Sequence, residues 1–249
     1  MMTDKTEIAK SFLNHTLKLG EEFRFKAIFF DMDGVLYDSM PMHSKAWFQV
    51  FKENGLDVDE IEPYLNEGAT AVYTVRKLFK KYLNKEVSDE VCEKIKNRKH
   101  YIMGNFPEAG IMCCMKDLLV QVKQAGIDRW VVTGSAQSNL LDRLEHEFEG
   151  CIMRDKMITA HDVRHGKPNP EPYLKALKKS GYKASESIVI ENAPLGVESA
   201  KAAGLFTIAI NTGPLDPSVL KEAGADIVLS GSRELYELWP EIYEVLRNS

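Results

Sequence analysis

Five short apolar runs set most of what this chain can become. Residues 26–30 (KAIFF), 129–133 (RWVVT), 187–191 (SIVIE), 206–210 (FTIAI) and 226–229 (DIVL) are continuous rather than alternating in apolar character. An alternating strand keeps one face wet, whereas a continuous one is buried on both. Helical patterns occupy 115–126, 139–148, 170–181 and 195–204, and Gly126, Gly181 and Gly204 stand where helix C-caps fall. Strand and helix in alternation imply the α/β class: a doubly wound, Rossmann-like parallel sheet with helices on both faces.

One interval breaks the alternation. Between residues 40 and 106 no strand is legible, and three helical patterns replace it. The first places Met42, Ala46, Trp47, Val50 and Phe51 on one face and ends at Gly55; the others cover 70–83 and 88–102. Ser88 is a candidate N-cap, with Asp89 and Glu90 in the first turn behind it. The pattern predicts a core of residues 1–38 and 107–249 and an inserted α-helical cap of residues 39–106, with hinges near Ser39–Met42 and Asn105–Pro107. An insert after the first strand hangs over the carboxyl edge of the sheet, where open α/β folds bind ligands. Ahead of the first strand, Ile8, Phe12, Leu13 and Leu17 predict a short amphipathic helix packed on the core.

Composition excludes several classes. The net charge is −5, and the basic residues are scattered rather than striped, which excludes a nucleic-acid partner. No apolar run approaches the roughly 18 residues of a membrane span. Residues 1–20 carry acids and lack the apolar stretch of a secretory signal. Cys92, Cys113, Cys114 and Cys151 form no C-x-x-C pair and predict reduced, buried thiols, hence a cytoplasmic protein. The histidines show no zinc spacing.

The ends of the strands carry the chemistry. The first delivers Asp31 and Asp33 to the carboxyl edge with one residue between them, and such a pair repels unless a cation or a shared proton relieves it. The second ends in Thr133, Gly134 and Ser135, whose hydroxyls and turn N–H groups suit a phosphate. Lys167 precedes Pro168 in a loop, and the third strand ends in Glu191 and Asn192, oxygen donors suited to magnesium. All four groups fall at one edge.

Taken together, D-x-D-G-V, then T-G-S, then K-P, then an acidic-amide pair before G-x-x-x-A-x-x-A-G resembles the motif series of the haloacid dehalogenase superfamily. The likeness spans residues 23–230. The helical insert, with His43 and Trp47 in MHSKAW, is similar to the small cap of the β-phosphoglucomutase-like branch. The resemblance implies an Mg2+-dependent phosphohydrolase of a small phosphorylated compound. Asp31 would attack phosphorus to form an aspartyl-phosphate, and Asp33 would protonate the leaving group and then activate water. Thr133, Gly134, Ser135 and Lys167 would hold the phosphate, while Asp31, Asp33, Glu191 and Asn192 would hold the metal. A lid of this size implies small substrates and a monomer. Asp33 itself argues against dehalogenation, which lacks the second aspartate.

Two departures from the branch bear on substrate. Its fourth motif usually ends Glu-Asp, and here it is Glu191-Asn192, one negative charge fewer. The mutases also place a cap arginine where this chain has Ala71; Arg76 follows further along the helix. Glu67, just before Gly68, is a candidate to swing in with the cap and replace the missing charge. A site so built would favour inorganic pyrophosphate over a sugar phosphate. His43 and Lys45, in the first cap helix, are further candidates, His43 to orient the acid/base group. A β-phosphoglucomutase and a non-enzymatic phosphate-ligand binding protein are the alternatives.

Overall fold

The structure, a computed structural model, describes residues 5–135 and 138–248. Among these residues the strands form one parallel six-stranded sheet in the order β3-β2-β1-β4-β5-β6. They are β1 (Ala27–Phe30), β2 (Asp128–Val132), β3 (Met157–Ile158), β4 (Ser187–Glu191), β5 (Phe206–Ile210) and β6 (Ile227–Leu229). The chain winds outward from β1 in both directions, so β1 lies at the switch point where such sheets bind ligands.

Register decides what meets at that point. Phe30 is level with Val131 on one side and with Ile190 on the other. Asp31 therefore leaves the sheet beside Val132 and Glu191, and its N–H donates to the Ile190 carbonyl at 3.0 Å. Successive β1 residues face opposite layers. Ile28 and Phe30 pack with α6 (Met115–Gln124) and α11 (Ser232–Arg247) through Leu118, Leu119, Leu235 and Trp239. Phe29 packs on the other layer with α8 (Glu171–Ser180) and α9 (Pro194–Ala202) through Tyr173, Ala176 and Ala200. Both faces are dry, which is why these strands show no alternation. The helix after β2 is α7 (Ser138–Glu147), and α10 (Pro217–Glu222) precedes β6.

Between β1 and α6 the chain forms α2 (Met40–Glu53), α3 (Glu62–Leu65), α4 (Ala71–Leu83) and α5 (Asp89–Met103). They enclose a separate apolar cluster that includes Ala46, Phe51, Val75, Leu78, Cys92 and Ile95. Ser88 caps α5 by accepting from Val91 N at 3.4 Å, as its position implies. Thr70 does the same for α4, accepting from Tyr73 N at 3.3 Å. Chain entry and exit are bound together: Asp38 N donates to Gly110 O at 2.9 Å and Met112 N to Leu36 O at 2.8 Å.

Some elements differ from expectation. The N-terminal helix α1 (Lys5–Leu19) buries Ile8, Phe12 and His15, while Leu13 and Leu17 are 56% and 71% exposed. The helix turns its 8–12–15 edge to the core because His15 lies against the Phe206 ring and reaches the Asp226–Lys201 pair. The four thiols are free, but Cys113 is exposed and Cys114 half-buried, because both stand in the turn that opens α6. β3, α3, α10 and α11 have no counterpart in the sequence reading.

Candidate active site

Lys167 is the centre of the carboxyl edge. Its ammonium donates to Asp31 Oδ1 and Glu191 Oε1, each at 2.5 Å, and to the Val132 carbonyl at 3.1 Å. It is 2% exposed, so the expected loop lysine is buried, with the Tyr173 ring beneath it at 5.3 Å. Burial and charge act in opposite senses on Asp31 and on Lys167. Burial, aided by Glu191 and Asp33, pushes Asp31 up to about 8 despite Lys167. Burial alone would lower Lys167, but Asp31 and Glu191 outweigh it and hold the lysine well above its ordinary range.

The Glu191 carboxylate, expected at a metal, is committed within the protein. Oε1 accepts from Lys167 and, at 2.9 Å, from the Tyr173 hydroxyl, while Oε2 accepts from the N–H groups of Asn192 and Ala193 at 3.0 and 3.3 Å. Gly196 makes room for it: a Cβ there would lie 1.9 Å from Glu191 Oε1. Glu191 thus orients Lys167, and Tyr173 orients Glu191, a support that periodicity alone does not reveal.

Asn192 and Glu67 meet across the gap between sheet and insert. Asn192 Nδ2 donates to Glu67 Oε2 at 3.0 Å. The remaining oxygens, Asn192 Oδ1 and Glu67 Oε1, are buried without a hydrogen-bond partner. Burial, then Asp31, Asp33 and Glu191, raises the Glu67 carboxyl well above its usual range. Gly34, at φ +80°, keeps the Asp33 turn against Asn192, where a Cβ would stand 2.0 Å from Nδ2.

Asp33 faces the insert. Ser39 Oγ donates to its Oδ1 at 2.6 Å, and His43 Nε2 lies 3.5 Å from the same oxygen. Behind His43, Lys99 approaches Nδ1 at 2.9 Å and lies over the Trp47 ring at 5.2 Å. Burial, then Lys99, lowers His43 and favours its neutral ring. Burial brings Lys99 down to about 8, opposed by Asp33 and Glu67. Burial would raise Asp33; the His43 ring, the Ser39 hydroxyl and the Lys99 charge win and hold it low. With His43 neutral, the durable positive charge near Asp33 is Lys99.

From the insert, His43 and, behind it, Lys99 stand near Asp33, while Lys45 is exposed on α2. Lys99 is 8% exposed and interrupts the apolar stripe Cys92, Ile95, Ile102 on α5. A lysine inside such a stripe is the signal that could have found it. On the other side, Thr133 is buried at the end of β2, its Oγ1 accepting from Ser135 N at 3.0 Å. Thr133 and Gly134 line a narrow space with Gly68, Thr70, Gly166 and Lys167. Ala71 opens α4, and Arg76 is paired with Asp89 at 2.6 Å on the surface of the insert.

Acidic groups outnumber cations here, which is part of why Asp31 and Glu67 hold their protons. Asp31, Asp33, Glu67 and Glu191 face Lys167 and Lys99, and an incoming phosphate adds further negative charge. Among the described residues no three His, Cys, Asp or Glu side chains stand converged as a ready metal cage. Magnesium rarely needs one, because it keeps several waters and takes one or two carboxylates together with substrate phosphate. Asp31, the Asn192 amide oxygen and the unpartnered Glu67 oxygen are hard donors of that kind.

The profile of haloacid dehalogenase-like hydrolases matches residues 28–210. The chain is 30% identical over 214 residues to hexitol phosphatase A of Escherichia coli, covering 85% of this chain and 94% of that one. It is 29% identical over 218 residues to validoxylamine A 7'-phosphate phosphatase of Streptomyces hygroscopicus, covering 88% and 98%. A solved structure from Bacteroides vulgatus, provisionally named a beta-phosphoglucomutase, superposes with a TM-score of 0.93 at 39% identity, over 98% of this chain and all of that one.

Proposed function

Because the chain belongs to the haloacid dehalogenase-like hydrolases, we propose that it is a magnesium-dependent phosphohydrolase whose preferred substrate is inorganic pyrophosphate. Residues 39–106 act as its cap. The observation that carries this reading is the Asn192–Glu67 contact, in which cap and core each present an unpartnered buried oxygen beside Asp31.

Asp31 attacks phosphorus in line, forming an aspartyl-phosphate and releasing the leaving group. Lys167 donates to the attacking carboxyl, opposes the rise in proton affinity that burial gives it, and neutralises charge gathering on the phosphoryl oxygens. Asp33, held low by its partners, takes a proton from the water that hydrolyses the intermediate, and a phosphate leaving group departs as its anion. Its position is set by Ser39 and His43, and Lys99 keeps the His43 ring turned toward it. Thr133, Gly134 and Ser135 bind the remaining phosphoryl oxygens. Magnesium, when bound by Asp31, the Asp33 carbonyl, Asn192 and Glu67, supplies positive charge at the phosphoryl group.

The substrate follows from what the cap lacks and adds. Ala71 offers no charge for a distal sugar phosphate, Arg76 is occupied elsewhere, and Glu67 favours a metal-laden polyanion. The named relatives favour a second reading, sugar-phosphate hydrolysis. Initial rates on pyrophosphate, hexose phosphates and β-glucose 1-phosphate, with and without magnesium, separate these readings and the mutase. Preference for a hexose phosphate in the wild-type protein overturns the pyrophosphate assignment. Failure to turn over any phosphate compound overturns the enzyme reading.

A further inference from the structure

Three core glycines lie beneath the cap: Gly134 after β2, Gly166 before Lys167, and Gly213 after β5. None has a φ in the left-handed region, so their own backbone accepts an L side chain. What excludes one is the cap. A Cβ on Gly166 would lie 2.8 Å from Thr70 Cγ2, one on Gly213 2.9 Å from Tyr64 Cδ1, and one on Gly134 3.1 Å from the Gly68 carbonyl oxygen. Thr70 cannot turn its methyl away freely, because its hydroxyl caps α4. The Gly68 carbonyl is main chain, and a bridge between Ala69 and Lys167 fixes the same loop to the core. Viewed from the cap, Gly68 repeats the relation: it holds φ +77°, and a Cβ would stand 3.0 Å from Lys167 Cδ.

This seating brings Glu67 to Asn192, where each keeps one buried oxygen without a hydrogen-bond partner. Carbon atoms in ordinary contact stand about 3.5–4.0 Å apart, so one methyl at Gly166 or Gly213 displaces the cap by about 1 Å. That shift draws Glu67 off its partner and widens the space over the phosphoryl group.

The geometry points to Gly166 and Gly213 as specificity-determining residues: they set the depth to which the cap closes and restrict the site to leaving groups no bulkier than a phosphate. The restriction rests on the phosphohydrolase reading above, whereas the seating does not.

The test pairs each methyl with a compensating deletion. Gly166→Ala and Gly213→Ala are assayed with magnesium on pyrophosphate, glycerol phosphate and a hexose phosphate. A cap held about 1 Å out of place lowers the pyrophosphate-to-hexose ratio of kcat/KM by roughly 10- to 100-fold. Thr70→Ser added to Gly166→Ala keeps the capping hydroxyl and removes the methyl; Tyr64→Ala added to Gly213→Ala removes the ring. Both double variants recover the wild-type ratio. Hydrogen exchange of amides 66–70 reads seating without turnover: protection falls in each single variant and returns in each double. Thermal melts identify any variant that has failed to fold, and the other pair then decides. Unchanged ratios, or ratios the second substitution does not restore, overturn the specificity role. Unchanged exchange overturns the seating. Absence of turnover in the wild-type protein overturns the phosphohydrolase reading and the restriction with it, while exchange still decides the seating.

Discussion

The amide of Asn192, at the end of β4, donates to the carboxylate of Glu67, in the loop between α3 and α4, across 3.0 Å. A neutral amide there lets the cap's carboxylate approach, where an aspartate would repel it. In the phosphohydrolase proposed above, the charge absent from the core would be carried by the lid and would arrive on closure. Closure and completion of the site would then be one event, a form of induced fit.

Glu67→Gln keeps the size and the hydrogen-bonding reach but removes the charge. Pyrophosphate turnover is expected to fall by about 10-fold or more, and half-maximal rate to need more magnesium. Rates measured across a magnesium titration check this. An unchanged magnesium requirement with full turnover removes Glu67 from the metal.

Asp31→Asn is expected to reduce turnover by about a thousand-fold or more. It also has a stability signature. A folded-state carboxyl raised to about 8 binds a proton that the unfolded chain releases near 4. Metal-free stability therefore falls as pH rises from about 4 to 8. The variant flattens that slope, and melting temperatures at pH 5 and pH 8 without metal measure it. Equal slopes in the two proteins contradict the assignment.

Lys167→Met leaves Asp31 and Glu191 buried without their cation. Removing one partner from a buried pair costs about 3–5 kcal/mol, and turnover is lost as well. Urea unfolding at pH 7 gives the magnitude. A loss under about 1 kcal/mol would show that water reaches these carboxylates.

His15 gives a pH dependence remote from catalysis. Burial, then Lys201, brings it down to about 4, against Asp226. The unfolded chain takes up this proton near 6.5, so stability is lost as pH falls from about 6.5 to 4. The full loss is about 3 kcal/mol at 1.4 kcal/mol per unit. His15→Phe is expected to reduce the slope of unfolding free energy between pH 7 and pH 5. Identical slopes refute the claim.

Legibility in the sequence follows burial and chain distance. Five strands announce themselves because both their faces are dry. β3 has two residues, too few for a pattern. α11 carries Pro240 in its interior, and α10 and α3 are short. Asp31, Thr133 and Glu191 were readable because each lies at or just beyond the end of a predicted strand, and parallel register brings such ends together. Lys99 was not, because it reaches the site from a distant helix. Tyr173 looks like any core aromatic until its hydroxyl is placed. The glycines at 134, 166 and 213 suggest turns, and nothing along the chain says which surface will descend on them.

The paired neck beneath the cap has a mechanical consequence. The outgoing and returning chains are laced side by side by the Asp38–Gly110 and Met112–Leu36 hydrogen bonds. Two rails joined at one point would suppress twisting and sideways drift of the proposed lid, leaving mainly a fore-and-aft swing. Each closing stroke of the proposed lid would then deliver the same carboxylate to the same address, and repeatability, more than tight grip, would let one moving side chain serve as a fixed part of the machine.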